Sequence, residues 1–324
     1  MTKPRVLLMH HILDPGPAIL AEVAEVIAYP TNRPLDEQSI RQAAEGCVGI
    51  VSHLQDPIGQ TVLSMPGLVC VSNVAVGFNN IDVEAATAHK VYATNTPGVL
   101  DDATADFAFA LLMAVARRVV QGDTYVRQGN FKGWAIDLML GHDIHDATLG
   151  IIGIGRIGRG VARRARGFNM RVLYSDTQGL PRDAEKDLGA TRVDLPRLLA
   201  ESDFISVHVP LTSETHHLIS TAQFNQMKPN AILINTSRGP VVDEAAVVEA
   251  VKSHRIAGAG LDVFEREPQV HPALIGLHNV VLAPHIASAT TRTRSEMSAM
   301  AARNMATAVR GGRPPNLINP EVKR

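Results

Sequence analysis

Cysteine is almost missing from this chain. Only Cys47 and Cys70 occur in 324 residues, both in apolar, strand-like runs, so neither a disulfide framework nor a thiolate metal site is suggested. The cytoplasm is the expected compartment. Surplus charge is missing as well. A formal net charge of −1 disfavours nucleic acid and anionic membrane surfaces as partners. The longest apolar run, Phe107 to Ala116, is about half the roughly 20 residues of a membrane-spanning helix and reads as a buried helix. The apolar block before His10-His11 is too short for the core of a signal peptide. No low-complexity tract or fixed-period repeat is present.

What is present is an ordinary globular composition, 45% hydrophobic and 19% charged. At roughly 100–200 residues per domain, the length predicts two domains. Short apolar runs recur at Val6–Met9, Cys47–Val51, Leu68–Asn73, Leu149–Ile152, Arg171–Tyr174, Phe204–Val209, Ala231–Asn235, Ala257–Leu261 and Val280–Leu282, with helical stretches between them. Alternating β and α predicts parallel sheets, and continuous rather than alternating apolar runs predict strands covered on both faces. A boundary falls near Pro97-Gly98. Beyond it, Asp101-Asp102 can cap a helix from Ala103 to Val120, with Arg117 and Arg118 in its last turn and Gly122 just past its end. A second helix, from about Thr290 to Arg310, is stopped by Gly311-Gly312 and Pro314-Pro315. The expectation is an α/β chain of two doubly wound parallel-sheet domains joined by helices, residues 1–100 plus 291–324 and residues 101–290.

Gly153-Ile-Gly155-Arg-Ile-Gly158 follows a strand and opens a helix. In that context Gly153 permits the tight turn, Gly155 lets the backbone approach a pyrophosphate, and Gly158 lets helix and strand pack closely. The next strand ends at Asp176, about 20 residues on, where a dinucleotide site places its acceptor for the adenosine ribose. A carboxylate there repels a 2′-phosphate, and Thr177-Gln178 follow with no arginine. NAD(H) is therefore expected over NADP(H), which stays open.

Three further segments end strands at the carboxyl edge, where open α/β sheets bind ligands. They carry Arg238, then Asp262 and Glu267, then His285. Hydride transfer to a 2-oxo acid needs a carboxylate clamp, an electrophile for the C2 carbonyl, and an acid for the developing alkoxide. Arg238 can serve as the first two. His285 suits the third, because histidine changes charge near neutral pH, with Glu267 to orient its ring and favour the charged form.

With Asn73-Val-Ala-Val-Gly77-Phe-Asn-Asn-Ile-Asp82, Pro210-Leu-Thr-Ser-Glu-Thr215, Asn235-Thr-Ser-Arg-Gly-Pro-Val-Val-Asp243, Ala259-Gly-Leu-Asp-Val-Phe-Glu-Arg-Glu-Pro268 and Pro284-His-Ile-Ala-Ser-Ala-Thr290 in one order, nearly the whole chain resembles the D-isomer-specific 2-hydroxyacid dehydrogenase family. Within it the features are those of glyoxylate/hydroxypyruvate and 2-ketogluconate reductases. The resemblance implies a Rossmann-like cofactor domain, a flavodoxin-like substrate domain and a homodimer. It makes Arg238, Glu267 and His285 catalytic and gives the substrate carboxylate to the amides of Val76 and Gly77, with Arg238 and His285 also on the substrate. Asp262 would lie by the nicotinamide amide, and Val209, Pro210 and Thr236 would line the cofactor cleft. Thr104, Arg156, Ile157, Thr215, Ser237 and Ser288 complete the implied cofactor contacts. Two departures stand out: Asp106 where the family commonly has Glu, and Ala287 where Gly is commoner.

His142 and His145 have no third ligand at fixed spacing, and hydride transfer needs no metal, so no metal site is expected. Trp134 lies in a segment similar to the family's dimer-forming arm. The rival reading is a catalytically silent dinucleotide-binding regulator, as in relatives that act as corepressors. The formate dehydrogenase branch is disfavoured because it typically has glutamine in place of Glu267. The C3 side of a substrate is expected to face loops such as Ser52-His-Leu-Gln55, which leaves the choice among small 2-oxo acids open.

Overall fold

A computed structural model describes residues 3–29 and 35–324. They form two compact units, Met1–Leu100 with Ala289–Arg324, and Asp101–Ser288.

The first unit is built on five parallel strands, β1 (Arg5–Leu8), β2 (Glu25–Ala28), β3 (Cys47–Ser52), β4 (Cys70–Asn73) and β5 (Tyr92–Thr94), in the order β2-β1-β3-β4-β5, the flavodoxin-like order. Leu7, Ile50 and Val71 pack on one face with Ile40, Val62 and Ala86. Val6, Val51 and Cys70 pack on the other with Leu20, Ala302 and Met305. Successive strand residues point to opposite faces, so a sheet covered on both sides demands apolar residues at every position. The helix Thr291–Val309, capped by the Thr290 side chain on the Thr293 amide, lies on the second face. Its small buried residues Ala301, Ala302 and Ala308 allow close approach. A Cβ added to Gly49 of β3 would lie 2.3 Å from Met305 Sδ. After Gly311 (φ 80°) the chain returns to the edge strand, where Leu317 bridges Thr94.

The second unit carries seven parallel strands: β6 (Thr148–Ile152), β7 (Arg171–Ser175), β8 (Ala190–Arg192), β9 (Phe204–Val207), β10 (Ile232–Asn235), β11 (Gly258–Leu261) and β12 (Val280–Leu282). Their order is β12-β11-β10-β9-β6-β7-β8, a doubly wound sheet whose order reverses between β6 and β9. Ligands bind outside the carboxyl ends of the strands at such a reversal. The helix Asp101–Ala116 covers one face through Ala105, Ala108, Leu112 and Val115, beside Val161 and Ala162 of the helix Arg156–Ala165. Leu198, Phe224, Val247 and Val251 cover the other.

Two local expectations are corrected. The helix expected to run to Val120 ends at Ala116, Arg118 turns left-handed (φ 53°), and a new helix, Val119–Arg127, contains Gly122. The break is set by tertiary contact: the His142 amide donates to the Ala116 carbonyl at 2.9 Å, and a Cβ on Gly141 would lie 2.3 Å from that oxygen. The returning chain thus satisfies a helix-terminal acceptor and occupies the space needed for another turn. Strands β2, β5 and β8 were absent from the apolar runs. All three are edge strands of three or four residues. Among the described residues no helix is long and apolar enough to cross a membrane.

Candidate active site

The carboxyl edge of the second unit's sheet gathers most of the predicted residues. Gly153 leaves β6 with φ 93°, a conformation costly for other residues. A side chain there would also strike His208 and Val209, with a Cβ 2.8–2.9 Å from their atoms. Gly158 packs on Gly153, where a Cβ would come within 2.2 Å of the carbonyl oxygen. Gly155 has open space instead and caps a helix start that has no side-chain cap. The first-turn amides, with the positive end of the helix dipole, are thus available to an anion. Thr236, after β10, is buried, and its Oγ1 has no partner among the described residues. These features fit a dinucleotide, with Arg156 and Ile157 on the loop's first helical turn.

Asp176, just past β7, accepts from the Ile154 amide (2.8 Å) and the Gln178 amide (3.1 Å), tying the glycine loop to the end of the strand. Arg192, at the end of β8, donates from Nη2 to the carbonyls of Asp176 (2.9 Å) and Thr177 (3.1 Å). The expectation that no arginine stands near Asp176 is therefore corrected. The residues next in sequence hold no arginine; this one arrives from the neighbouring strand, opposite Tyr174.

Among the other predicted cofactor residues, Val209 and Pro210 follow β9. Thr215 Oγ1 donates to the Pro210 carbonyl at 2.6 Å and accepts from the Thr212 amide, closing that loop. Ser237 is committed to Asn235, donating to Oδ1 from both amide (3.0 Å) and hydroxyl (2.8 Å). Thr104 is buried in the helix Asp101–Ala116, and Ser288 closes the unit. In the first unit, Val76 and Gly77 follow β4. Their carbonyls are held by the side chains of Asn95 (2.8 Å) and Asn73 (3.0 Å), while their amides make no backbone hydrogen bond among the described residues.

The catalytic candidates converge. Buried Asn235 also donates to the Arg238 carbonyl (3.0 Å), making it the template of the turn that presents Arg238. A Cβ on Gly239 would lie 1.9 Å from the Phe264 carbonyl carbon, so this segment presses on the one bearing Glu267. Burial lowers the pKa of the Arg238 guanidinium, opposed by the Glu267 charge. Glu267 Oε1 accepts the Phe264 amide (3.1 Å), and Oε2 lies 2.9 Å from His285 Nδ1. Burial alone would raise the Glu267 carboxyl. The His285 hydrogen bond and charge, the Phe264 amide and the Arg238 charge outweigh it and hold the carboxyl below its usual range.

His285 sits at φ 55°, a left-handed conformation few non-glycine residues adopt. Asp262 holds it there: its carbonyl accepts the His285 amide (2.9 Å), and its fully buried carboxylate accepts the amides of Ile286 (2.7 Å) and Ala287 (2.8 Å). Burial raises the Asp262 pKa, against the pull of those amides. Asp262, expected beside the nicotinamide, and Asn235, which the sequence reading passed over, are the two residues that shape the backbone around the charged groups. The only sign of Asn235 in the sequence is its place at the head of the Asn-Thr-Ser-Arg motif. Among the described residues no group of His, Cys, Asp and Glu could hold a metal ion.

Comparison with known proteins places this site. Residues 109–287 match the D-isomer specific 2-hydroxyacid dehydrogenase, NAD binding domain, family. A glyoxylate reductase of Korarchaeum cryptofilum is 52% identical, over 99% of this chain and 97% of its own length. One from Thermococcus litoralis is 46% identical, over 99% and 98%. Among solved structures, an NADPH-dependent glyoxylate/hydroxypyruvate reductase from Sinorhizobium meliloti, in complex with NADP and malonate, superposes with TM-score 0.88 at 31% identity, covering 100% of this chain and 99% of its own. The chain belongs to the D-isomer specific 2-hydroxyacid dehydrogenases.

Proposed function

We propose that this protein reduces the C2 carbonyl of small 2-oxo acids, glyoxylate and hydroxypyruvate first, to the D-2-hydroxy acids, with NADH or NADPH. The observation that carries the reading is the hydrogen-bonded pair Glu267–His285 beside Arg238 at the carboxyl edge of a dinucleotide-binding sheet. With Glu267 ionised, His285 Nδ1–H donates to it and leaves Nε2 to pass a proton to the C2 oxygen. Arg238, a fixed cation, polarises the carbonyl and offsets the charge that grows on its oxygen. The reduced nicotinamide supplies the hydride. The amides of Val76 and Gly77 are assigned to the substrate carboxylate, as the resemblance implies. The substrates named for the Korarchaeum, Thermococcus and Sinorhizobium relatives support the choice of 2-oxo acids.

The test is NADH oxidation across glyoxylate, hydroxypyruvate, 2-ketogluconate, pyruvate and phenylpyruvate. Turnover of glyoxylate or hydroxypyruvate above the others is the expected result. NADH binding without reduction of any 2-oxo acid would favour a regulator of the corepressor kind.

The same reading assigns a homodimer to the segment after Arg118. Trp134 is 81% exposed, Ile136 77% and Leu140 69%, an apolar stretch of the kind that marks an association surface. The two buried free cysteines suit a reducing compartment, the cytoplasm.

A further inference from the structure

We infer that Arg192 is a cofactor-specificity residue, one that lets this chain accept NADPH despite the carboxylate of Asp176. The inference rests on the reading that the glycine loop of the second unit binds a nicotinamide dinucleotide.

The adenosine ribose of such a cofactor is placed at the end of the second strand of the nucleotide-binding half, where a carboxylate hydrogen-bonds the 2′-hydroxyl or an arginine receives the 2′-phosphate. Here the two meet. Asp176 stands at that strand end, its oxygens tied to the amides of Ile154 and Gln178. Arg192 reaches the same spot from β8, its Nη2 on the carbonyls of Asp176 and Thr177. Those two bonds pin the guanidinium on the Asp176–Thr177 backbone. They leave Nη1 and Nε without a hydrogen bond among the described residues. A guanidinium is a rigid fork whose remaining N–H groups suit a phosphate.

Gly179 keeps the place open. A Cβ there would lie 2.9 Å from Arg192 Nη1 and 3.4 Å from its Cδ, so a side chain at this position would push the guanidinium away. Thr177 and Gln178, next in the chain, are uncharged, and the Thr177 hydroxyl donates to Asp176 Oδ1 (3.3 Å). One cation against one carboxylate gives tolerance of both cofactors. The carboxylate serves a free ribose, and the guanidinium offsets its repulsion of a phosphorylated one.

The experiment measures two things on the full-length chain: kcat/KM with NADPH and NADH, and binding of 2′,5′-ADP and 5′-AMP by calorimetry. Wild type should use both cofactors. Because hydrogen bonds to charged groups are worth more than neutral ones, Arg192→Ala should lower kcat/KM for NADPH about tenfold and weaken 2′,5′-ADP to a similar degree. NADH and 5′-AMP should change by less than about twofold, and Arg192→Lys should retain part of the NADPH activity because it keeps the charge without the fork. Equal losses with both cofactors would mean that Arg192 only braces the strand end, and would overturn the assignment. So would robust NADH use with no NADPH use, or NADPH use insensitive to Arg192. A wild type that binds neither NADH nor 5′-AMP would overturn the dinucleotide reading itself, and Arg192 with it.

Discussion

Asp262 shows how much of this site is spent on geometry rather than on contact with reactants. A fully buried carboxylate is costly unless its lone pairs are used. Here it takes two amides on consecutive residues and fixes the turn that sets His285 at φ 55°. Asp262→Asn keeps the size but can accept at one oxygen only, leaving one buried amide unpaired at a cost of about 1–3 kcal/mol. We expect a lower melting temperature and a fall in kcat, as steady-state kinetics beside a thermal melt would show. A variant with normal kcat would remove Asp262 from this role.

Glu267 gives a pH prediction whose sign is fixed. Its folded-state pKa is lowered from the usual 4.5, so the pair with His285 contributes stability that is present above that value and is lost as the pH falls through the lower folded value. The gap in melting temperature between wild type and Glu267→Gln should therefore persist down to about pH 4.5 and shrink as the pH is lowered below it. A gap that widens on acidification would contradict the ion-pair account.

At the scale of elements, the glycine loop separates two requirements that the sequence shows as one motif. Gly155 borders open space with φ −63° and an extended ψ, which any residue can adopt. Gly158 borders a backbone carbonyl 2.2 Å from where a Cβ would sit. Gly155→Ala should leave the melting temperature unchanged and raise KM for NADH, because its methyl would enter the open space proposed for the pyrophosphate. Gly158→Ala should lower the melting temperature, because helix and strand must separate. Thermal melts with NADH titrations distinguish them, and identical behaviour of the two variants would count against the assignment. Leu112, fully packed between its helix and the sheet, provides a reference for an ordinary core position. Leu112→Ala should cost about 2–5 kcal/mol in denaturant unfolding, without a specific effect on cofactor affinity.

Central strands were legible because burial on both faces favours apolar residues at successive positions, as Val6-Leu7-Leu8 and Ile232-Leu233-Ile234 show. Edge strands β2 and β8 were not, because both are short and leave much of their surface in water, and β5 was not because three residues, Tyr92-Ala93-Thr94, are too few to show a pattern although all are buried. The break at Arg118 was illegible for another reason. It is imposed by His142 and Gly141, some two dozen residues away in sequence, on a stretch whose own propensity is helical. In the site, the charged residues Arg238, Glu267 and His285 announced themselves by chemistry and position. Asn235 and Arg192 did not, because each acts through backbone carbonyls and amides that only the fold brings to it.

On the scale of the whole molecule, two α/β units each bury their own core, and the second also exposes Trp134, Ile136 and Leu140. If this stretch meets a second copy, light scattering should give about twice the 34.8 kDa of one chain. Trp134→Asp with Leu140→Asp should give a folded monomer. An unaltered mass in that variant would place the interface elsewhere.

The proton at C2 is assigned to His285, oriented by Glu267. The most direct test of that assignment is a single-turnover measurement of glyoxylate reduction with pre-bound NADH, wild type beside His285→Ala, with NADH affinity measured in parallel. General acid catalysis is worth roughly 10²–10⁴-fold. His285→Ala should lose rate by that order at unchanged NADH affinity. A variant that reduces glyoxylate at the wild-type rate would contradict the assignment.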